Sequence, residues 1–94
     1  MDQPSNLLRL DKVACLLKAL SNEKRLRILY ALSDGEQSVS QILSQIDLSQ
    51  SALSQHLARL RQDHVVKTRR DAQMIYYSID HDHTRALLKF IQTL

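Results

Sequence analysis

Residues 49–61, SQSALSQHLARLR, hold the side chains best suited to reading another molecule. With Ser49 as a cap, the segment reads as a helix in which Leu53, Leu57 and Leu60 share one stripe at i, i+4 and i+7. At about 100° per residue, Ser51, Gln55, Ala58 and Gln62 project on the opposite side, with Ser54 on the flank. A solvated helix face normally carries Lys and Glu. This one carries hydroxyls and carboxamides, which hydrogen-bond base edges without setting a negative charge against phosphate; Gln55 can pair in bidentate fashion with adenine. A basic run, Lys67-Thr68-Arg69-Arg70, follows closely. The bland alternative is a solvated helix and an edge strand guarded by charges. A polar probe helix followed at once by a basic arm favours double-stranded DNA as the partner. The expected contacts are Gln50, Ser51, Ser54, Gln55 and Arg59 on the helix, with Ser38 before it. Lys67, Arg69 and Arg70 complete the set from the arm.

Other reactive residues do not assemble into a site. His81 and His83, flanked by Asp80 and Asp82, resemble a metal cluster but supply only half of the roughly four ligands a tight site needs. Acidic residues there are accounted for by helix capping, and no metal is expected. Cys15, the only cysteine, rules out an internal disulfide and reads as a small buried hydrophobe. His56 lies beside serines, yet no acid with oxyanion donors accompanies it, so it reads as structural and the chain as no enzyme. No cofactor motif is present, and none is expected.

Length and charge restrict the class further. The chain has 94 residues, 44% of them apolar, with one Gly and one Pro, as expected of a single small helical domain over residues 1–94. Net charge is +3, but from Gln50 to Arg70 five basic residues face one acid, Asp63, so the excess sits in the probe and arm. The start, Met1-Asp2-Gln3-Pro4, lacks the marks of a secretory signal. The longest apolar run, Ile28–Leu32, falls far short of the ~20 residues a membrane span needs. A cytoplasmic protein with no membrane partner is expected.

The elements that would position these residues follow from their periods. A first helix from about Asn6 to Leu20 has a main stripe of Leu10, Val13, Leu16, Leu17 and Leu20. A second stripe, Leu8, Cys15 and Ala19, lies nearly opposite, which implies a helix held between its own core and another body. A second helix is capped by Ser21 and runs to about Ser33, stopping before Gly35. Ser38-Val39-Ser40-Gln41 is a capping box opening a third helix, with Val39, Ile42, Leu43 and Ile46 inward. Asp47-Leu48-Ser49 then leads tightly into the probe helix, the arrangement of a helix-turn-helix. Val65–Arg70 and Met74–Ile79 read as strands, with Arg70-Asp71-Ala72-Gln73 at the hairpin tip. A last helix, about Asp82 to Leu94, has a broad apolar face with Leu87, Leu88 and Ile91. The order is ααααββα, mainly α with a β-hairpin, a winged helix-turn-helix.

Three stretches carry a family resemblance: LKALSNEKRLRIL at 17–29, SQSALSQHLARLR at 49–61, and TRRDAQMIYYS at 68–78. Over essentially its whole length the chain resembles the arsenic-repressor (ArsR/SmtB) family of winged-helix regulators. The last two stretches are most similar to the branch containing NolR and HlyU. The resemblance implies a homodimer joined through the first and last helices, at Leu8, Cys15, Ala19, Leu87, Leu88 and Ile91. It also implies a dimeric repressor on a palindromic promoter site, with helix 50–62 in the major groove and hairpin 65–79 as the wing. His64 stands where relatives usually carry glycine after the probe helix. The family's effector sites are incomplete here: Val39-Ser40-Gln41 replaces the Cys-x-Cys of arsenic and cadmium sensors, and Tyr30 replaces a persulfide-sensing cysteine. The end of the last helix offers no metal ligand to complete His81 and His83, so no small-molecule or metal effector is expected. A sensor using Cys15 or His81/His83 is the alternative within the class. A winged-helix protein-interaction module is the alternative outside it, opposed by the polar, non-acidic probe face.

Overall fold

Side-chain caps set the starts of three helices. The computed structural model describes residues 3–94, with side chains described from residue 9. Its elements are α1 (Gln3–Leu20), α2 (Glu23–Ala31), β1 (Gln37–Ser38), α3 (Val39–Leu43), α4 (Gln50–Gln62), β2 (Val66–Asp71), β3 (Met74–Ile79) and α5 (Asp82–Ile91). The addition to the expected order is β1, which pairs antiparallel with β3, Gln37 opposite Tyr77, and gives a sheet ordered β1-β3-β2. A strand of two residues is too short to show alternation, so pairing alone reveals it.

Ser38 and Gln41 form the expected capping box: the Gln41 N–H donates to Ser38 Oγ (3.2 Å), and the Ser38 N–H donates to Gln41 Oε1 (2.8 Å). Ser49 caps α4 by accepting from the Ala52 N–H at 3.1 Å. The cap of α2 is Asn22, not Ser21; Asn22 Oδ1 accepts from the Arg25 N–H, while the Ser21 hydroxyl donates back to the Lys18 carbonyl. α3 is shorter than its apolar stripe implies, and Ile46 is buried from the turn that follows it. Gly35, past the end of α2, has φ 145° and open space on its side-chain side among the described residues, so backbone torsion alone calls for glycine there.

The core lies beneath α4. Leu53, Leu57 and Leu60 are almost fully buried against Ile28, Leu29, Ile42, Val66 and Ile79. Each such side chain contributes about 1.5–3 kcal/mol of burial. After α4 the chain reverses through His64 at φ 60°. The His64 N–H donates to the Arg61 carbonyl and the Val65 N–H to the Leu60 carbonyl, the two bonds of a Schellman motif, while buried Leu60 and Val65 supply its apolar contact. The hairpin turns on Ala72-Gln73, because Asp71 pairs with Met74; Arg70 is one pair further down, opposite Ile75.

The assignment of the outer helices' faces is corrected. Of α1's main stripe only Leu16 and Leu20 reach the core, whereas Leu10, Val13 and Leu17 are exposed (63%, 46% and 51%). Ala19, expected at a subunit seam, is buried in the protomer's own core. Cys15 is exposed and not part of the protomer's own core. Leu8 lies outside the residues whose side chains are described. In α5, Leu88 is wholly buried within the protomer and cannot meet a partner. Leu87 and Ile91 are half-buried against the core, and the free apolar groups are Phe90 (63% exposed) and Leu94. The apolar arc of α1 is wide enough to divide between two bodies, and period alone does not say where the division falls.

Candidate nucleic-acid interface

With its three leucines inward, α4 presents Ser51, Ser54, Gln55 and Ala58 to solvent. The helix also has two unlike flanks. Gln50, Ser54 and Arg61 recur at i, i+4 and i+11 and lie toward the β2–β3 wing, while His56 and Arg59 lie on the other flank.

Two grooves follow the wing-side flank. The first, about 350 Å³, lies between the start of α3 with Gln50 on one wall and Gln73, Met74 and Ile75 of the wing on the other. Ser40, exposed at its edge, is a polar residue outside the expected contacts. The second, about 260 Å³, is lined by Arg61, Thr68, Arg70 and Ile75. Arg61 was also absent from the expected contacts. Its helical angle relative to Gln50 and Ser54 was the signal that could have found it.

Strand alternation separates the arginines of the arm. Val66 and Ile79 are opposite one another and buried, so Thr68, Arg70, Ile75 and Tyr77 continue the face turned toward the core and α4. Lys67, Arg69 and Tyr76 take the outer face. There Arg69 donates from Nε to Glu36 Oε1 at 3.0 Å and from Nη2 to Oε2, with its guanidinium 4.8 Å from the Tyr76 ring centroid. The hydrogen bond from Arg69 holds the Glu36 carboxyl below its ordinary range, and the same pair holds Arg69 more firmly protonated. Arg69 is therefore engaged, and reaching DNA requires it to leave Glu36. Arg70 has no such partner among the described residues.

Two further expectations are revised. Ser38 is 3% exposed and its hydroxyl is committed to the α3 cap, so it holds the helix rather than contacting a ligand. Arg59 sits on the flank away from the wing, its Nε 3.1 Å from Asp63 Oδ2. Gln50, Ser51, Ser54, Gln55 and Lys67 are exposed as expected. His56 is partly buried beside α2, where desolvation first and the charge of Arg25 second lower its pKa. Arg25 Nε is itself buried without a hydrogen-bond partner among the described residues.

His81 and His83 stack at 5.0 Å between ring centroids, and His81 Nε2 lies 3.8 Å from Asp80 Oδ2. His81 is the N-cap of α5 without a side-chain cap bond, and Asp82 pairs with Arg85 at 2.9 Å, so a salt bridge rather than capping accounts for that acid. Among the described residues no three His, Cys, Asp or Glu side chains gather as a metal site would need. No described helix is long and apolar enough to cross a membrane.

Residues 22–68 match the family model described as "Bacterial regulatory protein, arsR family". The chain is 44% identical over 95 residues to the transcriptional activator HlyU of Vibrio cholerae serotype O1, covering 97% of this chain and 88% of that one. It is 49% identical over 81 residues to the nodulation protein NolR of Rhizobium meliloti, covering 86% of this chain but only 64% of NolR. The solved structure of HlyU from Vibrio cholerae N16961 superposes with a TM-score of 0.85 at 43% identity, over 99% of this chain and 96% of that one. A homodimeric winged helix-turn-helix DNA-binding domain from Mycobacterium bovis, 30% identical, gives 0.86 over 99% and 88%.

Proposed function

The chain belongs to the arsR family of bacterial regulatory proteins, and we propose that it acts there as a dimeric repressor on a roughly palindromic promoter site. It is a DNA-binding transcriptional regulator. Within that function, α4 enters the major groove and the β2–β3 wing lies along the flanking backbone, in each of two half-sites. The observation that carries this reading is the uncharged face of Ser51, Ser54 and Gln55, raised on a leucine stripe and bordered by an arginine-bearing wing. A protein-interaction surface would place apolar anchors at that position. The dimer is supported by Leu10, Val13 and Leu17 on α1 and by Phe90 and Leu94 at the end of the chain, all exposed. It is also supported by the homodimeric Mycobacterium bovis relative. Two-fold symmetry in the protein then calls for two-fold symmetry in the site. Such a protein works in the cytoplasm.

Occupancy of a promoter is enough to block transcription. The same occupancy activates where the protein displaced is itself a repressor, which accommodates relatives named as an activator and as a repressor. The test is selection of bound sequences from random duplex DNA, repeated with Gln55→Ala. The substitution should cost about 1–3 kcal/mol on the selected site and relax preference at one base per half-site. Unchanged affinity and preference would show that α4 is not the reading element.

The same reading has DNA binding independent of metals and thiol chemistry. Effector linkage requires a ligand that binds one conformation better than another, and a half-built site supplies little such difference. Saturating zinc, arsenite or persulfide should change affinity by less than about threefold, or ~0.6 kcal/mol. A tenfold oxidant effect that disappears in Cys15→Ser would replace this with a one-thiol switch.

A further inference from the structure

We propose that the cleft between the end of α4 and the inner face of the wing is a clamp for one backbone phosphodiester of duplex DNA. Arg61 supplies the second cationic jaw opposite Arg70. This deepens, and rests on, the DNA-binding reading above. Three elements bring the parts together. Arg61 lies on the wing-side flank of α4, two residues from Arg59 and therefore about 160° around the helix from it. Arg70 and Thr68 lie two apart on β2, on the strand face turned toward α4, and Ile75 is paired directly opposite Arg70. All four border one opening of about 260 Å³.

The chemistry of that opening suits a phosphodiester better than a free anion. Two guanidinium groups and one hydroxyl donate to anionic oxygens, and guanidinium does so in fork geometry. Ile75, 37% exposed, adds an apolar wall suited to deoxyribose carbons, which inorganic phosphate lacks. Acids that could neutralise the pair are held elsewhere: Asp63 by Arg59, and Glu36 and Asp71 by Arg69 on the outer wing face. Neither Arg61 nor Arg70 is in an ion pair among the described residues. The clamp thus lies between the base-reading face of α4 and the hairpin turn, where a backbone leaving the major groove would pass.

The experiment is a salt titration of binding to a fluorescent duplex of arbitrary sequence, using the whole 94-residue chain. Each neutralised phosphate contributes about 0.9 to the slope of log K against log salt. Removing both jaws, Arg61→Ala with Arg70→Ala, should flatten that slope by up to about 1.8 units per dimer, one phosphate in each protomer, and Arg61→Ala alone should flatten it by less. Arg59→Ala should leave it nearly unchanged. Thr68→Val should weaken binding several-fold at constant slope, because a hydroxyl displaces no counterion. Affinity losses of Arg61→Ala and Arg70→Ala should be non-additive in the double variant, as for two groups on one phosphate. A double variant whose slope is no flatter than that of Arg70→Ala alone, or flattening by Arg59→Ala equal to that of Arg61→Ala, overturns the clamp while leaving DNA binding intact. Displacement of duplex by inorganic phosphate in preference to chloride at equal ionic strength overturns it in favour of a free-anion site. Failure of the unsubstituted protein to bind any duplex overturns the regulator reading itself.

Discussion

Replacing His64 by glycine should stabilise the protein, and the structure gives the magnitude. His64 has φ 60° and an exposed side chain at the residue that turns the chain from α4 toward β2. Its conformation is imposed from both sides. The Val65 N–H reaches back to the Leu60 carbonyl at 2.9 Å, and Leu60 and Val65 are both buried, so the reversal cannot relax without opening the core. A left-handed conformation costs an L-residue about 1–2 kcal/mol, a cost glycine does not have. Glycine gives back about 0.5–1 kcal/mol through its larger unfolded-state entropy. The net gain is about 0.5–1 kcal/mol per protomer, which for a domain near this size is a rise of about 2–8 °C in Tm. Thermal unfolding should be followed at one fixed protomer concentration, because dimer dissociation makes the midpoint depend on concentration. His64→Asn should be nearly neutral, since Asn tolerates this region, and β-branched His64→Val should be destabilising. DNA affinity should not change in any of the three. If His64→Gly lowers Tm while His64→Val leaves it unaltered, the imidazole makes a stabilising contact and backbone strain does not govern this turn.

Leu17→Asp should convert the dimer to a folded monomer in sedimentation at low micromolar concentration, because Leu17 is half-exposed on the protomer and its loss leaves the core intact. A dimer of unchanged mass would move the interface off α1. Glu36→Gln should release Arg69 and steepen the salt dependence of DNA binding by up to about one unit per protomer; no change would mean that the outer face of the wing does not approach phosphate. Acidification should destabilise the fold through His56, whose proton is bound less readily in the folded chain than in the unfolded one. That contribution is complete above about pH 6.5 and is lost progressively as pH falls below it. His56→Gln should flatten stability against pH in this window, and an unaltered profile would assign the acid sensitivity to another group.

The residues that could be read without the fold are those whose neighbours are close in sequence. Ser49 caps α4, Ser38 and Gln41 close a box, and Leu53, Leu57 and Leu60 bury one stripe, each through contacts within a few residues. His64 was marked only by the resemblance, as the place where relatives carry glycine, although the bonds that impose its turn reach back only to Leu60 and Arg61. The polar face of α4 follows from the same periodicity, and with it the class of partner.

Tertiary packing decided how ambiguous groups were divided. The wide apolar arc of α1 gives Leu16, Ala19 and Leu20 to the core and leaves Leu10, Val13 and Leu17 outside, because only the last turn of the helix lies over the buried cluster. Arg69 and Arg70 are adjacent and chemically alike, yet strand pairing turns one toward Glu36 and Tyr76 and the other toward α4. Arg59 and Arg61 are likewise interchangeable as charges, until the wing packs against one flank of the helix and not the other. Local sequence specifies the period of a face, since that depends on backbone geometry alone. It does not specify what the face meets, since a contact depends on residues distant in the chain.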